Sequence, residues 1–463
     1  MELRHALAIE HDGAGIDQDS LPEVEDIVSY CEGLVVVDEK SYTIRLVHYT
    51  TQEYLERVSQ TWMQSSHKNI ALACLAYLSF DEFSTGSCRN DKEFEDRLQR
   101  NVLLDYCAKH WGDHVRDADD EDVDDTAFRF LTADLKIKSV VQVSMVTSYR
   151  FSGYSTHVPF RMEALHLAAQ FGLGKIMTRL LANGRNPHIK DEFGRTPLSY
   201  TAEYGRLRIV ELLTLRQDVE LQSTDQDGRT PLSWAAGSGH ISVVESLLSC
   251  PGVDVNFKDF HMLSPLSWAA RGNRVGVAKY LLTRNDTERD SPDKNGQTPL
   301  SWAAYNGHLE IVKLLVPYPN IHIDSKDHWG QTPLSWAARN GHFGVVSFLV
   351  NKPGVNMDSK DDENRTALTW ASIHGHLEIV KLLASRPEVN CDTIDQQGQS
   401  PLSWAAREGY LDVVEFLMTR NDVQLQSKDR QGLTPLRWAA WNGYEDIVEI
   451  LAARKAARPK QPL

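Results

Sequence analysis

Long apolar runs are missing from this chain: no window of its 463 residues approaches 18 unbroken apolar positions, so no membrane-spanning helix is expected. The start has no basic stretch followed by an apolar core, so no secretory leader is expected either. Cysteine is scarce. The six residues (Cys31, Cys74, Cys88, Cys107, Cys250 and Cys391) are scattered without close pairs, which argues against a disulfide framework and for a reducing, intracellular, cytoplasmic setting. Catalytic signatures are missing as well: no HExxH, GxSxG, CxxC or paired-carboxylate motif occurs. Gly172-Leu173-Gly174-Lys175 is followed by Ile176 instead of Ser or Thr, so it is not a phosphate loop. No enzymatic activity and no cofactor are expected.

Positive charge is short in the first part of the chain. Residues 1–126 hold 28 Asp/Glu against 11 Lys/Arg, a balance of -17, whereas the remainder is nearly neutral at +2. A segment this acidic repels phosphate backbones, so nucleic acid is not the expected partner. The run at 117–126 (DADDEDVDDT) carries seven acidic groups, which self-repel; it reads as a linker or exposed loop.

What is present is a repeat. A seven-residue phrase begins at Thr196, Thr230, Ser264, Thr298, Thr332, Thr366, Ser400 and Thr434, always 34 residues apart, and a diverged copy begins 33 residues earlier at Glu163. A fixed period of this length marks a solenoid whose units bury their apolar faces only against neighbours. In residues 293–316, Asp293 to Gly296 forms a turn, Thr298 caps a helix, and Pro299 takes its first position. Leu300, Ala303 and Ala304 make one apolar stripe, Gly307 closes the helix in a left-handed conformation, and Ile311, Val312 and Leu315 line a second helix. The Asp recurs in eight copies, from Asp191 to Asp429, and the hinge Gly is replaced only by Asn273. The unit near residue 264 is the odd one, with Met262 in place of the turn Gly as well; raised local exchange is expected there.

This pattern resembles the ankyrin repeat, with its D-x-x-G-x-T-P-L-H-x-A-A-x-x-G-H phrase, over about residues 161–455. The period of 34 invites comparison with the tetratricopeptide repeat, but the D-x-x-G turn before a T-P cap does not fit that family. The expected fold is therefore mostly α, a solenoid of about nine units with β-turn fingers. Such arrays, the resemblance implies, bind protein partners through turn tips and the exposed face of the first helix. Here the tips include Glu192-Phe193, Phe260-His261, His328-Trp329 and Arg430-Gln431, and the variable end of the first helix includes Tyr204, Tyr305, Arg339, Arg407 and Trp441. Exposed aromatic and Arg side chains are the residue types from which binding hot spots are built, so Phe193, Tyr204, Phe260, His261, Tyr305, Trp329, Arg339, Arg407 and Trp441 are the candidate protein-binding residues. Seven Trp (234, 268, 302, 336, 370, 404 and 438) occupy one equivalent position, with Tyr200 in the first full copy. They lie two residues past the stripe Leu, about 200° round the helix, and face a neighbouring unit or a partner.

The N-terminal part reads as short helices at 2–10 and 21–33, a β-ribbon over 34–48 around Asp38-Glu39-Lys40-Ser41, and a helix opened by the capping box Thr50-Thr51-Gln52-Glu53. Through ELRHALAIE, IVSYCEGLVVVDE, IRLVHYTTQEYL, CLAYLSF and LLDYCAKHWGDH it resembles the winged-helix and helical module of fungal NACHT–ankyrin proteins. The ATPase signature of that family is absent, so nucleotide-dependent switching is not carried over. The expected organisation is a partial winged-helix module at 1–60, a helical extension at 61–116, an acidic linker and connecting helix at 117–160, repeats at 161–455 and a basic tail at 456–463. Cys107, His110 and His114 share one helix face at spacings suited to zinc, with Cys74 and Cys88 as remote further ligands, but the set is incomplete and helix packing is the expected role. A non-enzymatic protein-binding arm of a signalling receptor is the function expected; an adaptor for a separate enzyme and a winged-helix DNA-binding regulator are the alternatives.

Overall fold

The computed structural model describes residues 67–146, 152–156 and 161–457, together with the strands Val35–Asp38 (β1) and Thr43–Leu46 (β2). The strands pair antiparallel with Val35 opposite Leu46, so the ribbon read from residues 34–48 is present. The helices expected at 2–10 and 21–33, the capping box at Thr50 and the closure of a winged-helix module lie outside the described residues. Among the described residues no helix is long and apolar enough to cross a membrane. Two compact units divide the chain: residues 1–226 with 249–251, and residues 227–248 with 252–463.

In the first unit, residues 67–78 are helical (α1), followed by Asp91–Arg100 (α2), Leu104–Ala118 (α3), Glu121–Leu131 (α4) and Asp134–Met145 (α5). Trp111 is wholly buried between Phe130 and Phe171, with ring centroids 5.4 and 5.1 Å away in edge-on geometry. Gly112 makes this possible, since a Cβ there would sit 2.1 Å from the Phe171 ring. Phe171 belongs to the first repeat, so α3 covers the apolar end that a terminal repeat otherwise exposes.

The acidic run is not the linker or loop expected. It is the end of α3 and the first turns of α4, in which Asp120 is the N-cap and accepts from the backbone N–H groups of Asp122 and Val123. Acidic side chains in a first turn are favoured by the helix dipole. Their mutual repulsion is offset by cations distant in sequence: Lys68 pairs with Asp120 and Asp122 at 2.8 and 3.1 Å, Lys175 with Asp119 at 2.8 Å and Arg179 with Asp125 at 2.6 Å.

The zinc-spaced residues are engaged otherwise. Cys107 is buried, and His114 lies 2.8 Å through Nε2 from the Tyr106 hydroxyl and 2.9 Å through Nδ1 from His67 Nδ1. Among the described residues no group of three ligands is arranged for a metal.

Repeats make up the described residues from Glu163 onward in both units. The first unit holds Ala164–Phe171 with Gly174–Ala182, and Pro197–Glu203 with Leu207–Thr214. The second holds seven pairs, whose first helices are Pro231–Ser238, Pro265–Arg271, Pro299–Tyr305, Pro333–Arg339, Ala367–Ile373, Pro401–Glu408 and Pro435–Trp441. Thr298 Oγ1 accepts from Ser301 N as the cap reading requires, and Leu300, Ala303, Ala304, Ile311, Val312 and Leu315 are all fully buried. Small alanines on the first helices allow neighbouring pairs to pack closely. Gly307 has φ 74°, and a Cβ there would also meet the His342 ring of the next repeat at 2.4 Å. His342 uses that position to bond the Tyr305 carbonyl at 2.9 Å, and His308 and His376 repeat the contact at 3.1 Å. Met262 (φ 63°) and Asn273 (φ 56°) take the left-handed conformations of the glycines they replace.

Candidate protein-interaction face

Each finger is organised by its buried aspartate. In the second unit Asp259 Oδ1 accepts from the backbone N–H groups of His261 and Leu263, both at 2.9 Å, which closes the turn. The same pattern recurs at Asp293, Asp327, Asp361, Asp395 and Asp429. The second oxygen reaches forward: Oδ2 of these six residues accepts from Nε1 of Trp268, Trp302, Trp336, Trp370, Trp404 and Trp438 at 2.7–3.1 Å. In the first unit the Tyr200 hydroxyl donates to Asp191 in the same way at 2.7 Å. Burial pushes the Asp327 carboxyl above its ordinary range, and the Trp336 donor opposes that shift. Fingers also bond one another. The backbone N–H of Phe260, Lys294, His328, Asp362, Gln396 and Arg430 donates to the carbonyl of Asp227, His261, Asn295, Trp329, Glu363 and Gln397 respectively, at 2.8–3.0 Å.

Pinned in this way, the Trp rings form a column across the second unit with cationic and aromatic side chains set between them. Arg229 lies over Trp234 and Trp268 (3.5 and 3.8 Å), Arg271 over Trp268 and Trp302 (5.3 and 4.7 Å), and Arg339 over Trp336 and Trp370 (5.1 and 4.2 Å). Arg407 lies over Trp404 and Trp438 at 4.8 and 4.5 Å. Tyr305 joins Trp302 to Trp336 edge-on at 5.8 and 5.0 Å. Cation–π contacts of this kind contribute about 0.5–2 kcal/mol each, more as the cation loses water. Burial and the neighbouring Arg365 hold the Arg339 guanidinium below its ordinary range.

The candidate binding residues separate into two groups. Tyr305, Arg339, Arg407 and Trp441 lie along the column, with Arg339 and Arg407 half-buried over indole rings and Trp441 74% exposed. Phe260, His261 and Trp329 stand on fingers, Phe260 being 60% and Trp329 48% exposed, and Trp329 meets Trp336 edge-on at 6.4 Å. Phe193 and Tyr204 are exposed in the first unit. The Asp-to-Trp bond, the places of Arg229 and Arg271, and that of Arg365, which lies over Trp370 at 4.2 Å and pairs with Asp361 at 3.0 Å, were not read from the sequence. The signal for the first was available, because Asp and Trp recur together nine residues apart.

Buried-Asp fingers, short alanine-rich first helices and hinge-linked second helices define an α-solenoid built for surface contact. The family profile of ankyrin repeats (3 copies) matches residues 165–259, 260–327, 319–395 and 385–461. The chain therefore belongs to the ankyrin-repeat family. It is also similar to a putative ankyrin repeat protein of fowlpox virus (strain NVSL), 40% identical over 60 residues, which is 13% of this chain and 43% of that protein. The chain thus spans less than half the length of this curated relative.

Proposed function

We propose that this chain is a non-enzymatic docking protein that holds a protein partner on the fingers and first helices of its repeats. The observation that carries the reading is the set of exposed aromatics on rigid supports: Phe260 and Trp329 stand on fingers fixed by Asp259 and Asp327, and Trp441 continues the column. Rigid aromatic anchors lose little entropy on binding and supply most of the energy of such interfaces. Membership of a family of protein-binding repeats supports the same reading. The partner is protein rather than nucleic acid, in keeping with the acidic first part of the chain. The site of action is intracellular and cytoplasmic, which suits Cys74, Cys88, Cys107, Cys250 and Cys391, none of which is in a disulfide.

In this proposal residues 161–455 are the recognition arm, and the segment before them contacts a regulatory partner. Its likeness to the module of fungal NACHT–ankyrin signalling receptors supports such an arrangement. The test is affinity capture with the full chain and with its F193A/F260A/W329A variant, read by quantitative mass spectrometry. Loss of two aromatic anchors or more costs at least about 2 kcal/mol, roughly 30-fold in affinity, so specific partners should drop out of the variant's set. An unchanged set would place the docking face elsewhere.

A further inference from the structure

One position of the column alternates in a way that no single repeat reveals. The residue that directly follows the Ala/Ser pair of the first helix is Gly237 in the first repeat of the second unit and then, in its six successive repeats, Arg271, Tyr305, Arg339, Ile373, Arg407 and Trp441. Guanidinium and apolar side chains thus alternate strictly, and each guanidinium is two repeats from the next. Packing within the column needs a flat or apolar group between indoles but does not need the charge, since Tyr305 fills the same gap edge-on between Trp302 and Trp336. Arg271 and Arg339 have no carboxylate within ion-pair distance among the described residues; Arg407 has Glu408 at 3.7 Å and donates to the side-chain Oε1 of Gln399 at 3.2 Å. The aspartates that hold the two indoles under Arg339, Asp327 and Asp361, already spend their oxygens on turn N–H groups and on Trp336 and Trp370. Arg271 and Arg339, laid on aromatic faces without a counter-charge, are arranged to receive one from outside, and Arg407 holds only a long contact to a surface carboxylate that a closer one can replace.

We propose that this column is the recognition track for an extended acidic segment of a partner protein, with Arg271, Arg339 and Arg407 each receiving a carboxylate and Tyr305 and Ile373 receiving an apolar side chain between them. The proposal rests on the docking reading above and adds the chemistry of what is docked. The spacing follows from packing. Neighbouring helices lie about 8–10 Å apart, so two repeats span roughly 16–20 Å. An extended chain in the polyproline II conformation rises about 3.1 Å per residue and returns to the same face every third residue, which puts carboxylates about six residues apart with an apolar residue midway on the same face. The resulting pattern, D-x-x-Φ-x-x-D-x-x-Φ-x-x-D with Φ apolar, reads the same in either chain direction.

The test uses the full chain and fluorescein-labelled synthetic peptides: one with this pattern on a Ser/Thr background, one of scrambled order and equal charge, and one with Asn for each Asp. Fluorescence anisotropy gives affinity, and intrinsic Trp emission reports contact with the column. The patterned peptide should bind at least about tenfold more tightly than either control and shift the Trp emission. The R271Q/R339Q variant, checked for an unchanged melting curve, should lose that preference. Equal binding of patterned and scrambled peptides by the wild type overturns the proposal without recourse to a variant. If the F260A/W329A variant loses its captured proteins while the peptides are not distinguished, the docking reading stands and the acidic track falls. If capture is unchanged in that variant and the peptides are not distinguished, both fall.

Discussion

Met262 offers the sharpest energetic test of how these fingers are built. The equivalent turn position in neighbouring fingers is Gly228, Gly296 and Gly330, all at φ between 73° and 79°, and Met262 is held at 63°. A left-handed conformation costs an ordinary L-residue about 1–2 kcal/mol through the clash of Cβ with the following carbonyl. Its side chain is 41% exposed, so little packing offsets that cost. Replacing Met262 with Gly removes the strain but frees the unfolded chain by about 0.4–1 kcal/mol, leaving a net gain of roughly 0.5–1 kcal/mol. Met262→Asn avoids most of the entropy term and should gain about 1 kcal/mol, since Asn tolerates this region. Because repeat arrays open locally, the assay is native-state hydrogen exchange in the full chain. The amides of Met262 and Leu263, which donate to the Asp259 carbonyl and carboxylate at 2.8 and 2.9 Å, are the reporters. In wild type they should exchange faster than the matching amides of Gly296 and Gln297, and M262G should slow them about two- to fivefold. Faster exchange in M262G, or equal exchange in all fingers of the wild type, would refute the reasoning.

Three further outcomes follow from the same contacts. Trp336→Phe removes the 2.8 Å donor to the Asp327 carboxylate and should cost about 1.5–3 kcal/mol in denaturant unfolding; in a W336F/D327N double-mutant cycle the losses should fall well short of additive. Gly307→Ala places a Cβ 2.4 Å from the His342 ring at φ 74° and should destabilise the protein by at least about 1–2 kcal/mol, read as a lower Tm. Burial holds the Asp324 carboxyl above its ordinary range, with Asp358 and Asp392 shifted in the same direction. A raised folded pKa means the ionised form opposes folding: the penalty is complete above that pKa and vanishes as pH falls below the unfolded value near 4. Asp324→Asn should therefore be more stable than wild type at pH 7, with the difference shrinking on acidification to about pH 4; a constant difference would count against it.

The repeats were legible because their determinants are local and periodic. Asp293, Gly296, Thr298, Pro299 and Gly307 each dictate a turn, cap or hinge within a few residues, and 34-residue recurrence separates that signal from chance. Charge was misjudged where its compensation is remote. Nothing within residues 117–126 announces that Lys68, Lys175 and Arg179 will stand beside them, so the run read as a loop when it forms helix termini. The column was half legible. The Trp side chains could be placed on the far side of the first helix, but their bond to the turn aspartate spans a finger and a cap, and the place of Arg271 appears only when successive repeats are compared. Arg339 and Arg407 were chosen as exposed contacts and lie half-buried over indole rings, because flat cations on a Trp column lose water to their own neighbours.

The central claim, that fingers and first helices form the docking face, is tested most directly by site-specific photo-crosslinking. A benzoylphenylalanine placed at Phe260 or Trp329 should form protein adducts after illumination, while one at the equally exposed Phe343, at the start of a second helix, should form few. Adducts from Phe343 matching or exceeding those from Phe260 and Trp329 would contradict the account.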